Sequence, residues 1–376
     1  MSIARILSSL QLPDGAPDRD LPPRATEPDH PAWAGYDRRT LLYDAIWMPE
    51  ERIVRLYLPR SFNLSALVDP ARLAIDGTPA RLRRRSTHRR FERIDLAAGT
   101  GRPGILTVPL PDAPPAEITI NEAATAPFAG RNVIYTLMRN ERLDWVRDWL
   151  RFHHEVQGAD AVLIADNGSD RHSLSDLRAA IGSVPGYPVA AVLDAPLPWG
   201  SRGASPGVED GKFLQTTLLN LVRDRFLSQA RAVLNVDIDE LVTGRTAQGG
   251  TVFDAARRWG YATFPGDWRF TAADRDPPRH ADHVMMSPGT RRCATKYVFR
   301  PQSWLGRRCL SVHSIERLNR KLFSAAGQFR FLHCRSITTA WKPGRLQTPA
   351  DALRPDEEAR GLLSRVFGDG PEEARP

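Results

Sequence analysis

The stretch AVLNVDIDELV at residues 232–242 decides the fold class of this 376-residue chain. Its apolar first half predicts a buried strand, and its second half is acidic. Asp237 and Asp239 are two residues apart, so in extended backbone both carboxylates point to one face of a sheet. Buried carboxylates need a cationic partner, and the simplest is a divalent cation with oxygen ligands. The pattern predicts a metal site at a strand end, with a solvated turn as the alternative.

Two segments upstream are also apolar strands that end in polar residues. ADAVLIADNGSD (159–170) predicts a strand followed by the turn-forming residues Asp166 and Asn167. YTLMRNE (135–141) predicts another strand that closes on polar residues. Open α/β sheets bind ligands at the carboxyl ends of their strands, so three such ends predict one site for a phosphate-bearing ligand and a metal.

Asn140 and Glu141 follow the strand at 135–141 and precede a predicted amphipathic helix. Asn140 is suited to cap that helix, and Glu141 suits its first turn. Apolar residues at helical spacing follow at 143–150. For Asn140 the alternative to ligand binding is a purely structural cap, and for Asp166 it is a role in forming the turn.

The order of predicted elements gives the fold class and the domain boundaries. From residue 131 strands alternate with helices, which is typical of a mostly parallel α/β sheet flanked by helices. Between 38 and 125, short β runs alternate with Pro, Gly, Asp and Asn every eight to twelve residues, which predicts a small antiparallel sandwich. The helices are predicted at 173–182, about 209–229 and 251–259. The predicted domains are a flexible arm (1–37), a small β domain (38–125), an α/β domain (126–350) and a polar tail (351–376).

Several blocks in order resemble GT-A fold glycosyltransferases of the bacterial family-2 and family-92 type. MRNERLDWVRDWLRFHHEVQGADAVLIADNGSD (138–170) resembles their opening, and NVDIDELV (235–242) their metal-binding segment. The chain departs from the family pattern in three places: Arg139 replaces the usual Lys, Cys334 replaces the usual Tyr, and the segment GDWRF (266–270), which resembles the family's WR.F block, lacks the Gly that usually follows it. The later matching blocks are GDWRF (266–270), KYVFRP (296–301), Val312-His313 and LHCRSITTAWKPGR (332–345).

This resemblance implies a GT-A (Rossmann-like) fold and a metal-dependent, inverting glycosyltransferase. The donor would be a nucleotide-sugar, with a UDP-sugar favoured, and the acceptor a glycan or glycolipid. The implied metal, Mn²⁺ or Mg²⁺, would be held by Asp237, Asp239 and His313. Asp267 would be the general base, with Asp274 behind it. The implied donor-binding residues are Asn140, Glu141, Asp166, Asn167, Asp237, Lys296, Arg300 and His333, with Lys342 and Arg345 as further phosphate ligands.

Two other function classes remain open from the sequence. A nucleotidyltransferase could use the same acidic pair, but it usually carries a Gly-rich loop near its first strand, and RNERLDW (139–145) has no glycine. A non-catalytic polyanion-binding protein could use the arginine run at 81–90, in a chain of formal charge +8. That run lacks the aromatic interleaving typical of nucleic-acid binding, so no nucleic-acid partner is expected. A solvated Arg-rich strand pair is favoured, and a peripheral membrane contact stays open.

Composition predicts a cytoplasmic enzyme in which thiols are reduced, with membrane association left open. The sequence contains no apolar run of eighteen residues, and MSIARILSSLQLPDG is too weakly apolar for a signal peptide. The three cysteines, Cys293, Cys309 and Cys334, are an odd number and lack the CxxC spacing of zinc sites.

Overall fold

The computed structural model describes residues 2–25, 27–203, 206–272, 276–287, 293–337 and 353–368. Within them the helices are α1 (Leu143–Gln157), α2 (Leu174–Gly182), α3 (Pro206–Asp210), α4 (Phe213–Val222), α5 (Val252–Ala255) and α6 (Glu357–Phe367). The strands of the first third are β1 (Ser2–Ile6), β2 (Leu10–Gln11), β3 (Thr40–Leu42), β4 (Asp44–Met48), β5 (Ile53–Pro59), β6 (Ala74–Ile75), β7 (Thr78–Pro79), β8 (Arg81–Thr87), β9 (Phe91–Ala97), β10 (Ile105–Leu110), β11 (Ala113–Thr119) and β12 (Asn121–Glu122). The remaining strands are β13 (Asn132–Met138), β14 (Ala161–Asp166), β15 (Val189–Asp194), β16 (Ala232–Asn235), β17 (Glu240–Gly244), β18 (Tyr261–Phe264), β19 (Gly266–Arg269), β20 (Met285–Met286), β21 (Lys296–Phe299), β22 (Leu310–Ser311), β23 (Ser314–Ile315), β24 (Phe329–Cys334) and β25 (Arg354–Pro355).

The central sheet is mostly parallel, and the chain is a mixed α/β protein with several smaller sheets. Its strands run in the order β1-β15-β14-β13-β16-β21-β18. The pairs from β15 through β16 are parallel, whereas β21 and β18 pair antiparallel. Strands β13, β14 and β16 are almost continuously buried, as expected where both faces of a sheet are covered. The predicted sheet class is confirmed.

Helix α1 buries its apolar stripe in a core that it shares with strands of this sheet. Trp149 and Phe152 are fully buried there, and Gly158 ends the helix in the left-handed region at φ 67°. The helix begins later than predicted: its N-cap is Arg142, so Asn140 does not cap it and Glu141 lies outside its first turn. Asp144 is the acidic residue of that turn.

His153 of α1 is buried and uses both ring nitrogens. Its Nδ1 donates to the carbonyl oxygen of Trp149 at 2.9 Å, and its Nε2 accepts from the backbone N–H of Val242 at 3.3 Å. Burial lowers the pKa of His153 to about 4, because a second ring proton would have to be accommodated without water.

The chain divides into two compact units. An α/β unit comprises Met1–Arg5, Pro127–Asp194 and Gln229–Pro376, and a β-rich unit comprises Ile6–Ala126 and Ala195–Ser228. The β-rich unit holds a five-stranded sheet (β12-β4-β5-β9-β8) and a four-stranded sheet (β11-β10-β6-β7), whose inner residues share one apolar core.

Two segments are placed differently from the sequence-based domains. Residues 1–37 were expected to be a flexible arm, but β1 joins the central sheet and Trp33 and Tyr36 are buried. The predicted helix at 209–229 is interrupted, and it belongs to the β-rich unit. There Tyr57 donates a hydrogen bond to the Asn220 carbonyl at 3.1 Å, and buried Arg55 pairs with Asp224 at 2.8 Å.

A three-stranded sheet, β17-β24-β19, lies next to the acidic segment in the chain. Strand β17 pairs antiparallel with β24, and β19 pairs parallel with it. Gly266 is required in β19, because an added Cβ would lie 2.1 Å from the Phe331 ring on β24. In the described parts of the chain, no helix has the length and apolar character needed to span a bilayer.

Candidate metal and donor site

Strand β16 stops at Asn235, and Asp237 and Asp239 lie in the turn that follows it. The backbone N–H of Glu240 donates to the Asp237 carbonyl at 3.1 Å and closes this turn. The extended backbone assumed from the sequence is therefore wrong at this point. Because the chain turns, the two carboxylates have different partners.

Asp237 shares a buried ammonium group with Glu240. Lys296 Nζ lies 2.9 Å from Asp237 Oδ2 and 2.8 Å from Glu240 Oε2. Burial alone lowers the pKa of Lys296, but the two carboxylates outweigh it and raise that pKa well above its usual value. Burial raises the pKa of Glu240; Lys296 opposes this effect and Asp237 reinforces it. Sequence reasoning gave no role to Glu240, although it directly follows the acidic pair.

Asp239 is buried against His333. Its Oδ2 lies 3.1 Å from His333 Nε2, while His333 Nδ1 lies 3.3 Å from the sulfur of Cys293. The Trp268 ring stacks on the imidazole with centroids 3.9 Å apart, and the Arg335 guanidinium lies 5.2 Å from the Trp268 ring centroid. The imidazole is therefore held at both nitrogens and on one face.

The register of the three-stranded sheet explains this grouping. Glu240 pairs with His333, and His333 pairs with Trp268, so these side chains form one cross-strand row on one face. One donor atom each from Asp239, Glu240 and His333 lie within 4.8 Å of one another. Two carboxylates and one imidazole suit a divalent cation such as Mn²⁺. The donor set therefore fits the metal implied by the resemblance.

His313 and Arg300 lie outside this group, although His313 is near enough to Lys296 and Asp237 to feel both charges. His313 Nδ1 lies 3.1 Å from the Thr295 carbonyl, and burial, reinforced by Lys296, lowers the pKa of His313 to about 4. Arg300 is exposed at the opposite end of β21 from Lys296, which places it on the other edge of the sheet. Of the two expected histidines, His333 and not His313 contacts Asp239.

The expected general bases are also not assembled here. Asp267 pairs with Leu332 in register, so it points to the face opposite Trp268, where Arg330 lies 3.4 Å from its carboxylate. Asp274, Lys342 and Arg345 lie outside the described residues.

The second predicted strand end forms a hydrogen-bonded loop. Asp166 accepts hydrogen bonds from the backbone N–H and the hydroxyl of Ser169, at 2.9 and 2.5 Å. Asn140, at φ 59°, binds the same loop through Asp170, whose backbone N–H donates to Asn140 Oδ1 at 2.8 Å. Asp166 and Asn167 are both buried. These residues thus build one rigid strand-end loop, which is the turn-forming role left open from the sequence.

Asp194, at the end of β15, is a residue that sequence reasoning missed. It pairs in register with Asp166. Burial, reinforced by Asp166, raises its pKa. Its position at the end of an apolar run was the available signal.

A buried brace links the acidic turn to α1. His280 Nε2 lies 2.8 Å from the Ile238 carbonyl oxygen, and His280 Nδ1 lies 3.5 Å from Asp148 Oδ2. Arg279 also pairs with Asp148, because its Nε–H donates to Asp148 Oδ2 at 2.8 Å. No local sequence signal joins these residues, because they are more than 40 positions apart in the chain.

No family model matches this chain, and no curated protein matches it. Among solved structures, Staphylococcus aureus TarS matches 39% of this chain at 10% identity, with a TM-score of 0.25. This chain covers 23% of the length of that TarS chain. TarS 1-349 in complex with UDP matches 63% of this chain and 70% of its own at 8% identity, with a TM-score of 0.28. Likenesses this low carry no argument about the site.

Proposed function

We propose that this protein is a metal-dependent glycosyltransferase. It would transfer a sugar from a nucleotide-sugar, with a UDP-sugar favoured, to a glycan or lipid-linked acceptor. The observation that supports this proposal best is the group formed by Asp239, Glu240 and His333 at the carboxyl end of β16. Open α/β sheets bind ligands at this edge. The ordered blocks that resemble GT-A enzymes add the reaction class.

The charges of the acidic turn favour a bound cation. Asp237, Asp239 and Glu240 bring three carboxylates, and Lys296 compensates for one of them. Asp239 Oδ2 and His333 Nε2 lie 3.1 Å apart, so either one proton or one metal ion can lie between them. We therefore assign Asp239, His333 and Glu240 as metal ligands, while Asp237 would stay paired with Lys296.

When bound, Mn²⁺ or Mg²⁺ would neutralise negative charge on the departing nucleotide. The loop built by Asn140 and Asp166 lies two strands from β16, about 10 Å away at ordinary strand spacing. That separation suits a nucleoside at the loop and a diphosphate at the acidic turn. The carboxylate of Asp166 is already used by Ser169, so its role would be to shape the pocket wall.

Inversion would require a base to accept the acceptor hydroxyl proton. Asp267 is the weaker of the two proposed bases, since it faces Arg330 on the far side of its sheet. Asp274 remains the proposed base. The stacked Trp268 and His333 would offer an aromatic wall close to the transferred sugar.

Calorimetry with UDP, GDP and CMP, with and without Mn²⁺, tests this proposal. We expect one nucleotide to bind only with metal, and Asp239→Asn to abolish that binding. Asp112→Asn is the matched control, because Asp112 is an exposed turn residue at φ 50°, where Asn is well tolerated. Metal-independent binding in both variants, or no nucleotide binding at all, would reject the proposal.

A further inference from the structure

The α/β unit exposes three large apolar side chains far from the acidic turn in sequence. Trp259 is 53% exposed, and Trp304 and Leu322 are each 73% exposed. Single exposed apolar residues are ordinary on protein surfaces, but several side by side mark an interaction surface. The position of these three therefore decides their meaning.

Contacts among their neighbours place the three residues on one surface. The rings of Trp259 and Phe323 lie 6.4 Å apart, edge to face, and Phe323 directly follows Leu322. Gly260 accepts a hydrogen bond from the Arg300 backbone N–H at 2.9 Å, which joins the loop of Trp304 to that of Trp259. We call residues 257–259, 300–308 and 316–323 the tryptophan–arginine surface.

This surface is strongly basic. It has eight basic side chains and one acidic side chain, Glu316, in a chain whose formal net charge is +8. Most of the basic side chains are exposed. They are Arg257, Arg258, Arg300, Arg307, Arg308, Arg317, Arg320 and Lys321.

We propose that the tryptophan–arginine surface docks on a membrane that contains anionic phospholipid. Tryptophan is favoured at the interface between lipid and water, where its ring is apolar and its N–H stays hydrated. Basic side chains near a membrane are attracted to anionic headgroups. Exposed Trp304 and Leu322 would enter the headgroup region, and the surrounding arginines would bind lipid phosphates.

Two observations favour a membrane over a single-stranded nucleic acid. The Arg308 guanidinium lies 5.1 Å from the Trp304 ring centroid, and that of Arg258 lies 4.8 Å from the Trp259 centroid. A guanidinium already occupies one face of each indole, which leaves less area for stacking a base. Leu322, an aliphatic side chain, has no stacking function but suits a lipid surface.

Co-sedimentation of the full-length protein with vesicles tests the proposal. No nucleotide is present, so the result is independent of the transferase assignment. The probes are vesicles of phosphatidylcholine alone and of phosphatidylcholine with phosphatidylglycerol. We expect binding only to the anionic vesicles, and weaker binding as salt is added. The double variant Arg307→Gln/Lys321→Gln should bind the anionic vesicles about 25-fold more weakly, because each removed basic charge should weaken binding about fivefold.

The double variant Trp304→Gln/Leu322→Gln should also lose binding while its thermal unfolding is unchanged, since both side chains are exposed. The matched control is Leu82→Gln/Arg84→Gln, on the exposed arginine-rich strand β8, where Leu82 is 50% exposed. That control should bind like the wild type. The proposal is overturned if anionic vesicles do not bind, if the control loses binding instead, or if a single-stranded oligonucleotide displaces the vesicles at equal phosphate concentration.

Discussion

Replacing Lys296 by methionine removes a buried charge while it keeps the length of the side chain. Lys296 Nζ lies 2.9 Å from Asp237 and 2.8 Å from Glu240. At an effective dielectric constant near 20, each pair has a Coulomb attraction of roughly 6 kcal/mol. Desolvation of the three ions offsets most of this attraction. Breaking one side of a buried pair usually costs about 3–5 kcal/mol, and we expect that loss of unfolding free energy at pH 7.

The loss should depend on pH in a direction fixed by Glu240. Its pKa in the folded protein is raised above the unfolded value of 4.5, so the folded state holds that proton more tightly. Stability from this group is therefore full below pH 4.5 and falls as pH rises through the folded pKa. Without Lys296 the folded pKa rises further. The deficit of the variant should thus shrink as pH falls from 7 toward 4.5.

Urea unfolding of both proteins, followed by circular dichroism at pH 7 and pH 5, measures this deficit. Lys321→Met is the control, because Lys321 is exposed and its loss should change stability by less than about 0.5 kcal/mol. A deficit below about 1 kcal/mol at pH 7, or one that is equal at both pH values, would refute the reasoning.

Three further substitutions test packing, buried histidine and buried charge. Gly266→Ala should lower the unfolding free energy of the α/β unit by about 1–3 kcal/mol in urea, because the added Cβ would overlap the Phe331 ring. Gly327→Ala is the control and should be neutral, since the space around Gly327 is open. Equal effects of the two substitutions would contradict this reasoning. His153 has a folded pKa of about 4 against 6.5 unfolded, so it contributes roughly 3 kcal/mol that is present above pH 6.5 and lost as pH falls toward 4. His153→Gln should flatten that part of the stability–pH curve, and an unchanged slope would show that other groups set it. Arg55→Met should cost about 3–5 kcal/mol in thermal or urea unfolding, because Arg55 is buried among carboxylates. Arg102→Ala, which breaks an exposed ion pair with Glu122, should cost less than about 1 kcal/mol. Similar losses in the two variants would reject the role of burial.

The sheet was predictable from the sequence because its strands are short apolar runs with polar ends. The same local pattern located the acidic segment, because its carboxylates directly follow a buried strand. It did not reveal that the backbone turns after Asn235, which sends Asp237 to Lys296 and Asp239 to His333. Partners more than 50 residues away have no signature in a local pattern.

The expected roles of Asp267 and of the two histidines depended on register, which the sequence does not specify. Alternation in β19 shows that Asp267 and Trp268 face opposite sides, but only pairing with β24 shows which side meets His333. The helix at 209–229 was also recognisable by composition. Its assignment to the β-rich unit follows from contacts such as Arg55–Asp224, which join residues 169 positions apart.

The β-rich unit is made of two stretches of chain, 6–126 and 195–228, and this has a consequence for synthesis on the ribosome. Arg55 is translated long before Asp224, its buried partner. At 5–20 residues per second, roughly 10–30 s separate the two residues. Until then Arg55 has only Asp95 and Glu51 as ion-pair partners, and the buried Tyr57 hydroxyl lacks both of its acceptors, Asn220 and Asp224. A gene fragment cut near residue 126 would leave that hydroxyl permanently without these acceptors, whereas Arg55 would keep its ion pair with Asp95.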